Sequence, residues 1–353
     1  TLHDTTLHRT MIHLAFAQGR PELYHREMHY AYGWSDPDIP QQILSGYGDD
    51  YVRRYPFFER VVDSSLGVIV HNGYARKQVL RYCPWARVTQ INQHFFMPPG
   101  FPDETHGPEL RARWGLENRF VVGSFGILVP HKRLDVCLRA FARFREQYPA
   151  AAYLLVGNHP PGFDLPGLIE GLGLDEEVVL TGWLDPVRFA QHMFLADIGI
   201  HLRYPHIGGT PFTPIRLMGL GIPTIVSDIG PLAALPEGAC VKVPPDQFEE
   251  DTLVAVMEYL AEYADVRRRL GENGADWIRE HHDAARIAAR YVDAIRQAAA
   301  GSPPVRPTDY HAEHRLAYLV REMAAMASRL GIREEDDHLL RPMAEAIAKQ
   351  AAA

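Results

Sequence analysis

An α/β fold built on a doubly wound parallel sheet is the architecture this 353-residue sequence predicts, and three observations predict it. From residue 109 to residue 300, short apolar runs alternate with segments of helical periodicity. A chain that alternates in this way closes right-handed βαβ crossovers on one parallel sheet. Gly and Pro punctuate the segments, where the backbone must turn. A composition of 46% apolar and 23% charged residues is that of an ordinary globular chain, and the length sets two domains as a prior.

The elements follow in order. Residues 5–60 read as mostly helical, with loops near Gly33 and Gly46. Two short strands are expected at 66–71 and 88–92, with a helix over 74–82 between them. Residues 94–108 hold four prolines and two glycines and read as a linker. Strands are then expected at 120–126, 152–157, 178–182, 197–202, 223–227 and 239–243. The helices between them are expected at 133–148, 165–171, 186–196 and 214–220, with a long one over 283–300. Residues 301–308 form a second linker. Beyond it Leu316, Leu319, Val320, Met323, Ala327 and Leu330 recur at helical spacing as one apolar stripe, and a last helix is expected over 334–349. The stripe covers the chain's own core or a partner, in a homodimer or with a second chain. The expected domains are therefore 1–98, 99–300 and a helical tail, 301–353.

Charge and cysteine usage exclude several classes. With 36 basic against 44 acidic side chains the net charge is −8, which argues against nucleic acid as a partner, because phosphate neutralisation needs clustered Lys and Arg. A small anion held at a local positive site is still allowed. Three cysteines make no disulfide framework, and Cys137 and Cys240 lie in apolar runs as buried, reduced thiols, so a cytoplasmic setting is expected. No apolar run approaches the ~18 residues of a membrane span. No secretory signal opens the chain; it starts at Thr1 without Met, at a processing boundary or a cut end.

In a sheet of this kind ligands bind at the carboxyl ends of the strands. The loop from Gly123 to Arg133 places Gly126 at a strand end and Lys132 and Arg133 at a helix start. There free amides and the helix dipole already favour an anion, so a lysine calls for a negative partner. The alternative is a solvated basic pair, with Asp135 capping or pairing locally. The loop from Arg203 to Pro214 brings Gly208, Gly209 and Thr210 ahead of a Thr213-Pro214 helix start, with Arg203 and Arg216 nearby. Two readings stand: a pyrophosphate cradle, or a tight turn that needs glycine. A third loop, Ser227 to Gly230, is weak by itself.

These residues carry a resemblance. Residues 119–300 resemble the donor-binding domain of retaining GT-B glycosyltransferases, in particular glycosyltransferase family four. Gly126 through Lys132 is similar to the family's G-x-L-x-x-x-K stretch, and Met218 to Gly230 to its M-A-x-G-x-P-V-V-x-S-D-x-G signature. Leu155 to Gly157, Leu180 to Leu184 and Ala196-Asp197 follow its landmarks. Thr1 to Asp4 resembles the T-x-H-D strand end of the family's first domain, and Val68 to Asn72 the strand after it. The resemblance implies a Rossmann-like donor domain with a partial Rossmann-like acceptor-side domain before it. It implies a transferase that moves a sugar from a nucleoside-diphosphate-sugar to a hydroxyl of a glycan, lipid-linked or small-molecule acceptor, in glycan or glycoconjugate assembly. Configuration would be retained, by front-face attack. His3 and Lys132 would be the catalytic pair, His3 near the donor sugar and Lys132 on the diphosphate. Gly126, Arg133, Gly208, Gly209, Thr210 and Arg216 would serve the donor, and Gly182, Trp183 and Leu184 would border the base. The resemblance implies no metal and no cofactor.

The chain departs from the family pattern in two ways. The paired glutamates would fall at Gly208 and Arg216, and a further acid at Ala234. Several strands before T-x-H-D are missing, so the sequence is a fragment or the other half comes from another chain. The competing reading is a degenerate GT-B protein that acts as a scaffold or subunit of a glycosyltransferase complex. Peripheral attachment to the inner face of the membrane is an open alternative for its location.

Other signals carry less. His25 and His29 share a helical face but lack a third ligand of a zinc site. Tyr24, Tyr30, Tyr32 and Trp34 form either an acceptor-side platform or core. The P-loop, the G-x-S-x-G elbow and G-x-G-x-x-G are all missing, which disfavours kinase, hydrolase and dinucleotide chemistry.

Overall fold

A computed structural model describes the chain except for residues 47, 97–106, 308–309, 311–319, 321–322, 325, 328–329, 334 and 352–353. The chain divides into two compact units, each discontinuous in sequence: Thr1–Asp4 with Ile69–Lys77 and Thr89–Arg296, and Thr5–Val68 with Gln78–Val88 and Gln297–Ala353. The sequence reading instead cut the chain at 98 and 300.

In the first unit six strands form one parallel sheet: β3 (Val121–Phe125), β4 (Ala152–Val156), β5 (Val178–Leu180), β6 (Ile198–His201), β7 (Thr224–Ser227) and β8 (Val241–Val243). Their order is β5-β4-β3-β6-β7-β8. All six strands predicted between 109 and 300 are present. Successive side chains point to opposite faces of a strand, so Val122, Tyr153 and Leu155 pack in one core cluster while Val121, Leu154 and Val156 pack in another. Both faces are apolar because both are covered by helices. Helix α8 (Leu134–Gln147) turns Cys137, Leu138, Phe141 and Phe144 into the first cluster. On the other side α10 (Pro186–Met193) begins at Asp185, whose carboxylate accepts from Val187 and Arg188 amides at 3.0 Å each. Helix α11 (Phe212–Gly219) follows β6. From β3 the chain runs outward one way through β4 and β5, and from β6 the other way through β7 and β8. The β3–β6 boundary is thus the switch point, where the loops leaving two adjacent strands open a crevice.

Two helices that the sequence reading did not foresee complete this unit: α13 (Glu249–Glu262), which packs Leu253, Met257 and Leu260 into the first cluster, and α14 (Ala264–His281). Helix α15 (Ala284–Ala300) follows. A two-stranded sheet, β1 (Val68–Val70) with β2 (Val88–Gln90), holds the front of the chain, where the Leu2 amide donates to Ile69 O at 2.8 Å.

The second unit is helical. Helices α1 (His8–Ala17), α2 (Pro21–Tyr32), α3 (Ile39–Leu44), α4 (Asp49–Arg54) and α5 (Glu59–Asp63) surround a core of Ile12, Tyr24, Met28, Tyr32, Ile39 and Phe57. Tyr24 and Tyr32 are therefore core residues, Trp34 packs against them, and the Tyr30 hydroxyl donates to Asp63 at 2.7 Å. No group of three metal-ligating side chains occurs among the described residues; His25 Nδ1 lies 2.6 Å from Ser35 Oγ. Arg306 secures the stretch after α15: its guanidinium donates to Tyr30 O at 3.0 Å and Asp63 Oδ2 at 3.2 Å. Of the apolar stripe, Leu316 and Leu319 lie outside the described residues, Ala327 is buried, and Val320 and Leu330 are exposed. The final helix spans Asp337–Ala351. The linker expected at 94–108 lies largely outside the described residues; its ends pair Phe95 with Asp283 and form α7 (Gly107–Arg113).

Candidate functional site

Both loops at the switch point carry positive charge, buried at Lys132 and half-buried at Arg203. After β3 the chain turns at Gly126 (φ 90°), whose amide donates to Val156 O at 2.9 Å. A methyl group at Gly157 (φ 139°) would collide with Gly126 O, so the two strand ends pack backbone on backbone. Gly157 also bridges Gly182, which ties the β5 exit to the same place. A short 3-10 turn, Pro130–Lys132, then brings the Lys132 side chain back to the strand end, where Nζ donates to Phe125 O at 2.6 Å. A methyl at Gly126 would meet Lys132 Nζ at 2.9 Å and Thr213 Oγ1 at 3.6 Å. The ammonium and the first turn of α11 therefore flank one point.

Lys132 is 8% exposed, and burial, reinforced by the nearby Arg203 charge, pushes its amine down to about 7. Arg203 follows β6 on the neighbouring loop. Burial lowers its basicity too, Asp4 opposes that shift, and its Nε is buried without a hydrogen-bond partner among the described residues. The charges of both cations reach His201, and burial followed by those charges pushes it well below its ordinary value, so its ring is neutral. No carboxylate pairs with Lys132 or Arg203 within ion-pair distance among the described residues. Lys132 feels no carboxylate and Arg203 only the charge of Asp4 beyond ion-pair distance, an arrangement that favours an entering anion.

The second loop is held by Asn72 at the end of β1. Its Nδ2 donates to Gly208 O at 3.1 Å and Thr210 Oγ1 at 2.8 Å, while its Oδ1 accepts from the Ala75 amide at 2.7 Å. Beside it are two imidazoles. His71 Nδ1 is 2.9 Å from Ile91 O, which can only accept, so Nδ1 carries the proton. His71 Nε2 is then the acceptor for His3 Nδ1–H at 3.0 Å. This chain of bonds leaves His3 Nε2 with its lone pair free to accept. Burial, the largest cause, lowers the basicity of His71, in keeping with a neutral ring. His3, His71, Phe212, Ile287 and Tyr291 line a cavity of about 390 Å³.

The residues expected at the site fare differently. Lys132, Gly126, Gly208, Gly209, Thr210 and His3 gather at or beside the switch point. Gly182 joins through Gly157, and Trp183 on that loop presents an indole that is 69% exposed. Leu184 packs partly into the second core cluster. Arg133 does not join them: it adopts the left-handed conformation (φ 57°) that starts α8, and its guanidinium donates to the buried Glu249 at 2.9 and 2.5 Å. Arg216 is exposed on α11, 5.7 Å from the centre of the Phe212 ring. The second cation of the pocket is Arg203, which the sequence reading weighed only as nearby charge. Its position just past an apolar strand was the available signal. His71 and Asn72 carried a similar one, at the end of β1.

Residues 107–277 match the family model described as glycosyl transferases group 1. The alpha-D-kanosaminyltransferase of Streptomyces kanamyceticus is 24% identical over 253 residues, 66% of this chain and 64% of the relative. A GDP-mannose-dependent alpha-(1-6)-phosphatidylinositol monomannoside mannosyltransferase of Mycolicibacterium smegmatis is 32% identical over 108 residues, 29% of this chain and 28% of the relative. The chain thus spans less than two thirds of the length of these curated relatives. Among solved structures, Anabaena HepE in complex with UDP and glucose superimposes with a TM-score of 0.59 at 19% identity, covering 68% of this chain and 67% of that one. Sucrose-phosphate synthase from Thermosynechococcus elongatus does so with 0.60 at 21% identity, covering 70% and 61%. At such identities the structures speak to the fold. Residues 107–277 are accordingly similar to a glycosyl transferases group 1 domain, in a chain with the GT-B glycosyltransferase fold.

Proposed function

We propose that this chain is a glycosyltransferase that moves a sugar from a nucleoside-diphosphate-sugar to a hydroxyl acceptor with retention of configuration, and that residues 99–300 bind the donor. The observation that carries the reading is the buried Lys132 beside the first turn of α11, with the half-buried Arg203 on the next loop and neither in an ion pair among the described residues. A departing diphosphate gathers negative charge as the bond to the sugar's anomeric carbon breaks. Cations and amides fixed in a poorly solvated pocket stabilise that charge without reorganising. The acceptor oxygen forms its bond to the same carbon on the face from which the diphosphate leaves. Its proton passes to the departing phosphate oxygen. His3 Nε2, oriented through His71, accepts a hydrogen bond from a hydroxyl of the reacting pair. The cavity of about 390 Å³ beside it is of a size for an acceptor, and Trp183 offers a stacking surface for the base.

The named transferase relatives and a HepE structure holding UDP and glucose support the choice of donor class. Three buried, unbridged cysteines support a reducing, cytoplasmic setting, and no described helix is long and apolar enough to cross a membrane. The test is release of nucleoside diphosphate from a panel of UDP-, GDP-, ADP- and dTDP-sugars with hydroxyl acceptors. At least one donor should turn over, and Lys132→Ala should slow it about 100-fold or more. No release from any donor would overturn the proposal.

A further inference from the structure

The charge of one carboxylate, that of Asp4, reaches Arg203. A methyl group at position 209 would collide with Asp4 Oδ1 and approach His3 O at 3.1 Å. The carboxylate therefore rests directly on the bare backbone of Gly209, and no other residue type fits at 209 without moving it. Asp4 is half-buried, and its carboxylate makes no hydrogen bond or ion pair among the described residues. Burial raises its pKa, with the Arg203 and His3 charges opposing that rise. Its oxygens are not among the fully buried polar atoms, so they keep contact with solvent and a ligand's donors can reach them.

The surroundings indicate which donors those are. Neither the loop 123–133 nor the loop 203–216 contains an Asp or Glu. Lys132, Arg203 and the backbone amides of these loops can only donate, which suits phosphate oxygens. A sugar attached to that diphosphate brings several hydroxyl protons, and each of them needs an acceptor. Asp4 is the acceptor at hand, next in the chain to His3. A carboxylate is acceptor-only and takes two hydroxyls from adjacent carbons in a bidentate arrangement.

We propose that Asp4 is the sugar-holding residue of this site: it accepts hydrogen bonds from a vicinal pair of hydroxyls on the transferred sugar and sets the preference for donors that carry such a pair. This inference depends on the transferase reading above. Gly209 is part of the same device, because only a residue without a side chain lets the carboxylate reach over the loop.

Calorimetric titration separates the two ideas. The probes are UDP against UDP-glucose and GDP against GDP-mannose, with the wild-type chain, Asp4→Asn and Gly209→Ala. The wild type should bind one sugar nucleotide more tightly than its parent diphosphate. Asp4→Asn keeps the shape and removes the charge, so it should erase about 10- to 100-fold of that difference while the diphosphate itself binds no more weakly. Gly209→Ala, which pushes the carboxylate away, should reduce the same difference. If Asp4→Asn leaves the difference between sugar nucleotide and diphosphate intact, or only tightens the diphosphate, Asp4 merely fills an empty anion site and the inference is overturned. If the wild type binds no nucleoside diphosphate at all, the transferase reading fails and takes this inference with it.

Discussion

Replacing Lys132 by methionine should make the free protein more stable at neutral pH. The amine lies 8% exposed with one carbonyl acceptor, Phe125 O at 2.6 Å. Lowering it from 10.5 to about 7 corresponds to on the order of 5 kcal/mol against the charged form, at about 1.36 kcal/mol per pH unit. Deleting the amine leaves the Phe125 carbonyl without its partner, which costs about 1–3 kcal/mol. The expected net gain is on the order of 2 kcal/mol at pH 6.5. Its pH dependence has a definite sign. Between about 7 and 10.5 the unfolded chain holds a proton on Lys132 that the folded chain lacks, so wild-type stability rises with pH through this window. Below 7 both states are protonated and the penalty is constant. Urea unfolding of both proteins from pH 6 to pH 10.5 should therefore show the Lys132→Met advantage largest at the acid end, then shrinking and reversing at the alkaline end. A variant less stable than wild type at pH 6.5, by an amount that does not change with pH, would refute the reasoning. Lys132 would then be a structural amine fastened to a strand end rather than a charge kept for a ligand.

Three further outcomes follow from the same geometry. His71→Phe should lower kcat about 10- to 100-fold while the affinity for nucleoside diphosphate stays unchanged, because it frees His3 without touching the cations; initial-rate kinetics beside calorimetry reads both. Arg133→Met should leave nucleotide affinity alone and destabilise the fold by about 3–5 kcal/mol, since it strands the buried carboxylate of Glu249; urea unfolding at pH 7 measures it. Trp183→Ala should weaken nucleotide binding about 5- to 100-fold, the worth of one base–aromatic stack, with no change in the thermal midpoint, because the ring is 69% exposed in the free chain.

Much of the sheet was legible in the sequence because its causes are local. A strand covered on both faces must be apolar along its length, and glycine must stand where two strand ends touch, as at Gly126 and Gly157. Helices α13 and α14 were not legible by the same signs. Neither has a side-chain N-cap, and glycines, poor helix formers, stand at 271 and 274 inside α14. In the fold Gly271 is there because a side chain would collide with Gly221 O. At the site, the Lys132 position could be read from its loop, but the direction of Arg133 could not. One residue further on, the chain has passed into a left-handed turn, and the side chain finds Glu249 on a distant helix. Arg203 and Asp4 show the same limit. Each is an ordinary surface-type residue in the sequence and acquires meaning only because β6 lies beside β3 and residues 1–4 lie against the loop at Gly209. Non-local pairing of this kind leaves no periodic trace.

The central claim is that the switch-point cations wait for a diphosphate, and calorimetric titration with UDP, GDP, ADP and dTDP at pH 8, in two buffers of different ionisation enthalpy, tests it most directly. At that pH Lys132 is largely neutral in the free protein, its amine having been lowered to about 7, and an arriving dianion should restore its charge. At least one nucleoside diphosphate should bind with uptake of close to one proton, and Lys132→Met should lose both the uptake and most of the affinity. Binding without proton uptake that survives Lys132→Met, or no binding by any of the four, would contradict it.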